Sequence, residues 1–155
     1  MSEYKKFSQE LCDENDRLSK EVAVDFLEWI GHYKLEIPLE DQIEKFKKQD
    51  FEVLLISKNR KVKVEVERKK VWTKDGVWQG WSTIDVPQRK NESEADLFIM
   101  INNSCNTLAV TTMNKVLESN ITSKKTIYTE KENFFNVELN NFKFYFKEGD
   151  CWKKV

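Results

Sequence analysis

An α/β or α+β fold is what this sequence predicts, and three stretches carry the prediction. "KEVAVDFLEWIGHYK" (20–34) places Val22, Phe26, Trp29/Ile30 and Tyr33 at helical spacing, so it reads as an amphipathic helix with one buried face. "DFEVLLIS" (50–57) and "KVKVEVERKKVW" (61–72) alternate apolar with charged residues, the period-two pattern of half-buried strands. "DLFIMIN" (96–102) is continuously apolar, which suits a strand covered on both faces.

The elements follow in order. Residues 1–18 are polar and read as a tail or loosely attached helix, leaving 19–155 as a single domain; 155 residues suffice for one real core. Ser19 is the expected N-cap of the first helix, and Gly31 lies near its expected end. Pro38 interrupts the chain, and "LEDQIEKFKKQD" (39–50) fits a helix or a short strand. "SKNR" is the turn between the two alternating strands, and Asp75-Gly76 is another turn. The tryptophans that follow Val71 read as packing and strand surface ahead of a base-stacking platform. "NNSCN" is a turn, "TLAVTTM" a strand, "NKVLES" a short helix, and "FFNVELNNFKFYFKEGDCW" one or two late strands, for about six strands in all.

Composition excludes several functions. Net charge is −1, so the whole chain does not advertise a polyanionic partner, but eight basic residues crowd between Lys58 and Lys74, enough to steer a phosphate backbone locally. Of 26 basic residues only Arg17, Arg60, Arg68 and Arg89 are arginine, the bias of an AT-rich bacterial or phage genome. Cys12, Cys105 and Cys151 lack metal-ligand spacing and read as reduced thiols of a cytoplasmic protein. The first residues contain no apolar run of a signal peptide, and no membrane-length apolar window occurs. Nucleotide-binding glycine loops are missing, and His32 is the only histidine, read as a helix-end residue. Glu21 and Glu28 read as a solvated helix face.

The alternating strands hold the sharper signal. With a two-residue turn at Lys58-Asn59, Phe51, Val53 and Leu55 oppose Val66, Val64 and Val62 on one apolar face. Asp50, Glu52, Glu65, Glu67 and Lys69 then gather on the other, with Asp50 opposite Glu67. A turn at Asn59-Arg60 would instead oppose Asp50 with Lys69. Carboxylates on one patch repel unless protons or a cation offset them. Mg²⁺ or Mn²⁺ suits such a patch, taking one or two carboxylates plus waters and phosphate oxygens, and a nearby lysine orients water or steadies developing charge. Those parts suit metal-assisted phosphodiester cleavage.

An Asp opening one strand, followed about fifteen residues later by Glu-x-Glu or Glu-x-Lys on the next, resembles the PD-(D/E)XK, or restriction-endonuclease-like, nuclease superfamily. The resemblance spans roughly residues 19–112 and includes "STIDVPQRK", with Pro87, Arg89 and Lys90 as its marks. It implies an α/β core with a mixed central β-sheet flanked by helices, in the order helix, hairpin-rich sheet, helix and another strand. It also implies an Mg²⁺- or Mn²⁺-dependent endonuclease acting on nucleic acid, DNA foremost. Asp50, Glu65 and Glu67 would hold metal, Lys69 would complete the catalytic set, and Lys70, Arg89 and Lys90 would grip the backbone. Both frames, Glu65-x-Glu67 and Glu67-x-Lys69, stay open, and no proline precedes Asp50. Members of this kind often act as homodimers. The alternative is a catalytically inactive module of the same fold that binds nucleic acid or a protein.

Overall fold

The computed structural model describes residues 9–42, 50–87, 93–124 and 132–155. It is a mixed α/β structure rich in strands, built from two sheets. The chain opens with α1 (Gln9–Trp29), followed by β1 (Tyr33–Lys34) and the short α2 (Leu39–Gln42). β2 (Phe51–Leu55) and β3 (Arg60–Lys69) form an antiparallel hairpin, and β4 (Thr83–Pro87) leads to β5 (Leu97–Asn102). Then come β6 (Thr107–Thr112), α3 (Met113–Leu117), β7 (Asn120–Lys124), β8 (Glu132–Glu138), β9 (Lys143–Glu148) and β10 (Cys151–Lys154).

The larger sheet runs β1-β2-β3-β5-β6-β9-β10, and β3/β5 is its one parallel pair. Parallel neighbours need a crossover; here the crossover carries β4, which leaves the sheet and joins β8 and β7 in a second, antiparallel one. The two sides of the main sheet are therefore covered differently. α1 lays Ala23, Val24, Phe26 and Leu27 over Phe51, Val53, Val62, Val64, Val66, Ile99 and Ile101. On the other side Phe98, Met100 and Ala109 pack with Ile84, Val86, Phe135 and Val137 of the small sheet. A helix was expected on that second face, but alternation in β4 and β8 builds a sheet there instead.

Three local expectations change. Ser19 is no N-cap: α1 begins ten residues earlier, and Ser19 is buried in mid-helix. Tyr33 belongs to β1 and not to the helix, because Gly31 adopts φ +81°, open to glycine without steric cost, and stops the helical run. Ten strands form among the described residues, where about six were expected.

The hairpin register also differs. Leu55 pairs with Arg60 and Phe51 with Val64, so the loop holds four residues and not two. Ile56 donates its N–H to the His32 carbonyl on the β1 side, and the pairing with β3 ends at Leu55. Residues Ile56–Lys58 then form a 3₁₀ turn closed by Asn59 at φ 47°. A shift of two residues preserves strand parity, so the valines stay on the apolar face, but every charged residue meets a different partner.

Candidate active site

β2 begins at Phe51, just after Asp50, and the mouth of the hairpin is built around that aspartate. The Asp50 N–H donates to the Val64 carbonyl at 3.0 Å, and its carboxylate Oδ2 accepts the Val66 N–H at 2.5 Å. The two bonds straddle Glu65, so Asp50 stands beside Glu65, in neither of the expected registers opposite Glu67 or Lys69. The side chain replaces the backbone partner that β3 loses where β2 stops.

The cation at Asp50 is Lys20 of α1, with Nζ 4.0 Å from Oδ1; both side chains are mostly buried. Lys20 escaped the sequence reading, although a signal existed. It precedes Ala23, Val24 and Leu27 by three, four and seven residues, so it shares the helix's inward stripe. A lysine on a buried stripe is expected to meet an acid.

Glu65 and Glu67 project on the other side of β3, the side of their parallel partners Phe98 and Met100. Glu65 is only 6% exposed, and its Oε2 accepts from Ser93 Oγ at 3.4 Å. Glu67 is partly buried, with Oε2 fully enclosed. Among the described residues no group of three or more His, Cys, Asp or Glu side chains gathers closely enough to hold a metal ion, so the three acids do not form a preassembled cage.

Lys69 points elsewhere than expected. Its Nζ stands 5.6 Å from the centroid of Trp81, at a cleft it lines with Asp85 of β4. Lys70 is exposed just past the end of β3. Arg89 and Lys90 lie outside the described residues. Other charges of the stripe find partners as well: Lys61 reaches Glu52 across the hairpin at 3.8 Å, and Lys63 reaches Glu94, ahead of β5, at 3.7 Å. Glu21 pairs with Arg17 on the surface of α1, and Glu28 accepts the Leu35 N–H, in keeping with a solvated face.

Burial raises titrations elsewhere in the molecule. Burial pushes the Cys105 thiol up, against the opposing influence of Arg68. Burial also raises Tyr33, with Arg60 opposing. No helix among the described residues is long and apolar enough to cross a membrane.

No family model matches this chain, and neither the curated proteins nor the solved structures contain a match to it.

Proposed function

We propose that this chain is a restriction-endonuclease-like nuclease that hydrolyses phosphodiester bonds of nucleic acid, DNA foremost, with the help of Mg²⁺ or Mn²⁺ in the cytoplasm. One observation carries the reading: Asp50 is fixed at the mouth of the hairpin by bonds to Val64 and Val66, on either side of Glu65. The order of elements supports it. A helix, antiparallel strands and a crossover to a further strand is the order the resemblance implies, with β4 standing in the crossover where a helix would be.

The donor set fits a hard divalent cation, since Mg²⁺ needs only one or two carboxylates and completes its shell with water and phosphate oxygens. Glu65 and Glu67, which share one face of β3, would hold it, with Asp50 reaching in from the edge of the hairpin mouth. Such an ion supplies a more acidic bound water and a clamp on the scissile phosphate. The chain's own groups position the rest. Val66 N–H and Lys20 orient Asp50, and Ser93 orients Glu65. Lys20, not Lys69, is the ammonium beside the first acid, so it takes the charge-steadying role first assigned to Lys69.

A second reading has its own observation. The near-complete burial of Glu65, and three acids that form no cage, suit a module of the same fold that binds without cleaving. Mn²⁺ titration separates the two. Under the nuclease reading, Mn²⁺ raises the melting temperature of the parent and supports cleavage of mixed-sequence oligonucleotides, and Asp50→Asn loses both effects. A folded parent with no Mn²⁺-dependent shift and no cleavage rejects the nuclease reading in favour of the binding module.

A further inference from the structure

Beside the proposed active site, a cleft of about 340 Å³ is lined by Lys69, Val71, Trp81, Ser82, Thr83 and Asp85. It falls in the range of small-ligand sites, roughly 300–1,000 Å³. We propose that this cleft holds an unpaired nucleobase stacked on Trp81, so that the chain acts on nucleic acid with a single-stranded or extruded nucleotide. The inference rests on the nucleic-acid reading above and names the substrate class of that site.

Trp81 is 40% exposed, although its neighbours in the sequence are tied down. Trp72 is fully buried and donates its Nε1–H to the Val77 carbonyl at 2.9 Å. Trp78 packs edge-on against Trp72 at 4.8 Å and against Trp81 at 5.3 Å, and donates its own Nε1–H to the Trp81 carbonyl at 2.6 Å. The loop is braced at its start as well. Gln79 Oε1 accepts the N–H groups of Thr73 and Lys74, and buried Asn102 donates to the Lys74 carbonyl. An exposed indole on a loop fixed in this way is a preset stacking surface, and ordering it costs little when a ligand arrives.

The surroundings match a nucleotide better than an aliphatic side chain. A base offers a flat π-face to the indole, and its polar edges meet the hydroxyls of Ser82 and Thr83 and the carboxylate of Asp85. Asp85 is itself held in place, its Oδ1 accepting from Asn136 across the small sheet at 2.6 Å. Lys69 stands over the indole at 5.6 Å, close to the outer limit of about 6 Å for a cation–π contact. Its flexible stem lets the ammonium move to a phosphate as a base takes the ring face. Lys69 shares the β3 face of Glu65 and Glu67, so base cleft and acids are consecutive stations along one strand. In a fully paired duplex the base faces are stacked away, so a Trp81 platform selects unpaired nucleotides.

The test measures binding of a fluorescein-labelled mixed-sequence single strand, and of its fully paired duplex, in EDTA. The parent is expected to prefer the single strand. Trp81→Ala is expected to weaken single-strand binding about 5- to 150-fold, the range of a lost base–aromatic stack, while changing duplex binding little; Trp81→Phe is expected to recover most of the loss. Melting temperatures of both variants should fall only slightly, since Trp81 is 40% exposed and the Trp78 Nε1–H is held by the Trp81 carbonyl and not by its ring. Equal losses on both probes, unchanged binding in Trp81→Ala, or a parent that binds neither probe each overturn the proposal. Cleavage in Mn²⁺ is scored separately. A parent that binds single strands through Trp81 but never cleaves sinks the nuclease reading and leaves the platform standing. Cleavage with binding indifferent to Trp81 does the reverse.

Discussion

β3 and β5 lie side by side, parallel and paired from Val64↔Leu97 to Lys69↔Asn102, yet they live in different surroundings. β5 is buried on both faces: Ile99 and Ile101 enter the core under α1, and Phe98 and Met100 enter the core under the small sheet. β3 shares only the first of these. Val62, Val64 and Val66 pack under α1, while Glu65, Glu67 and Lys69 occupy the face that the second core does not reach. The small sheet thus covers β5 and leaves its neighbour's charges at its border. One strand spacing separates a dry core from a row of ionisable groups. There the water-poor surroundings strengthen electrostatic interactions, and the row ends at Lys69, which lines an open cleft.

The comparison breaks first if β5 is not a doubly buried strand. Phe98→Ala should be the most destabilising change considered, at about 3–5 kcal/mol, because it removes a fully buried ring between the two sheets. Urea unfolding with an unchanged slope would measure it. A loss below about 1 kcal/mol would mean that the small sheet does not seal that face.

A smaller effect is expected at the mouth of β3. Asp50→Ala removes an acceptor from the Val66 N–H and a partner from Lys20, and hydrogen bonds involving charged groups contribute about 1.5–3 kcal/mol. Asp50→Asn keeps an acceptor for Val66 and should recover much of that stability while restoring no metal response. If the two variants unfold at the same urea concentration, the Val66 bond does not hold the hairpin mouth. Lys20→Met sharpens the point: it leaves the stem's packing, removes the charge beside Asp50, and under the nuclease reading should lower cleavage without lowering Mn²⁺ affinity.

How much of this was legible follows from the range of each signal. Alternation is local, so the two faces of β2 and β3 and the continuous burial of β5 could be read from Val62, Val64, Val66 and Phe98–Ile101. The hairpin loop could not. The sequence "SKNR" suits a two-residue turn, whereas the loop runs through a 3₁₀ turn at Ile56–Lys58 whose first residue is tied to His32, outside the hairpin. Asp50 is expected to open β2 and lies one residue before it, and its neighbour is Glu65 because parity survives a two-residue shift and register does not. The second sheet was illegible for a related reason. β4 pairs with β8, fifty residues later, and nothing in "TIDVP" names that partner. The tryptophans divide between the two readings: Trp72 is packing, as expected, while Trp81 is exposed at a cleft.

The smallest effect lies on the far side of the α1 core, where the helix is fastened to β9 and β10 instead of β3. Asp25 Oδ2 accepts from Lys147 Nζ at 2.8 Å and from the buried Trp152 Nε1–H at 3.0 Å. Burial alone would raise this carboxyl, but the hydrogen bonds from Lys147 and Trp152 and the Lys147 charge outweigh it, and the net shift is downward. A carboxyl lowered by folding stabilises the native state once pH exceeds its unfolded value near 3.8, and that contribution disappears as pH falls through the lower native value. Asn at position 25 still accepts from Trp152 but carries no charge. Asp25→Asn should therefore cost no more than about 1 kcal/mol at pH 7, since the pair is half-exposed and screened by solvent. The gap should shrink with added salt and close below about pH 4. Urea midpoints of parent and variant across pH 2–7 would show this convergence. A gap that stayed constant down to pH 2 would mean that Asp25 fastens α1 through its shape and its bond to Trp152, with the Lys147 charge contributing nothing.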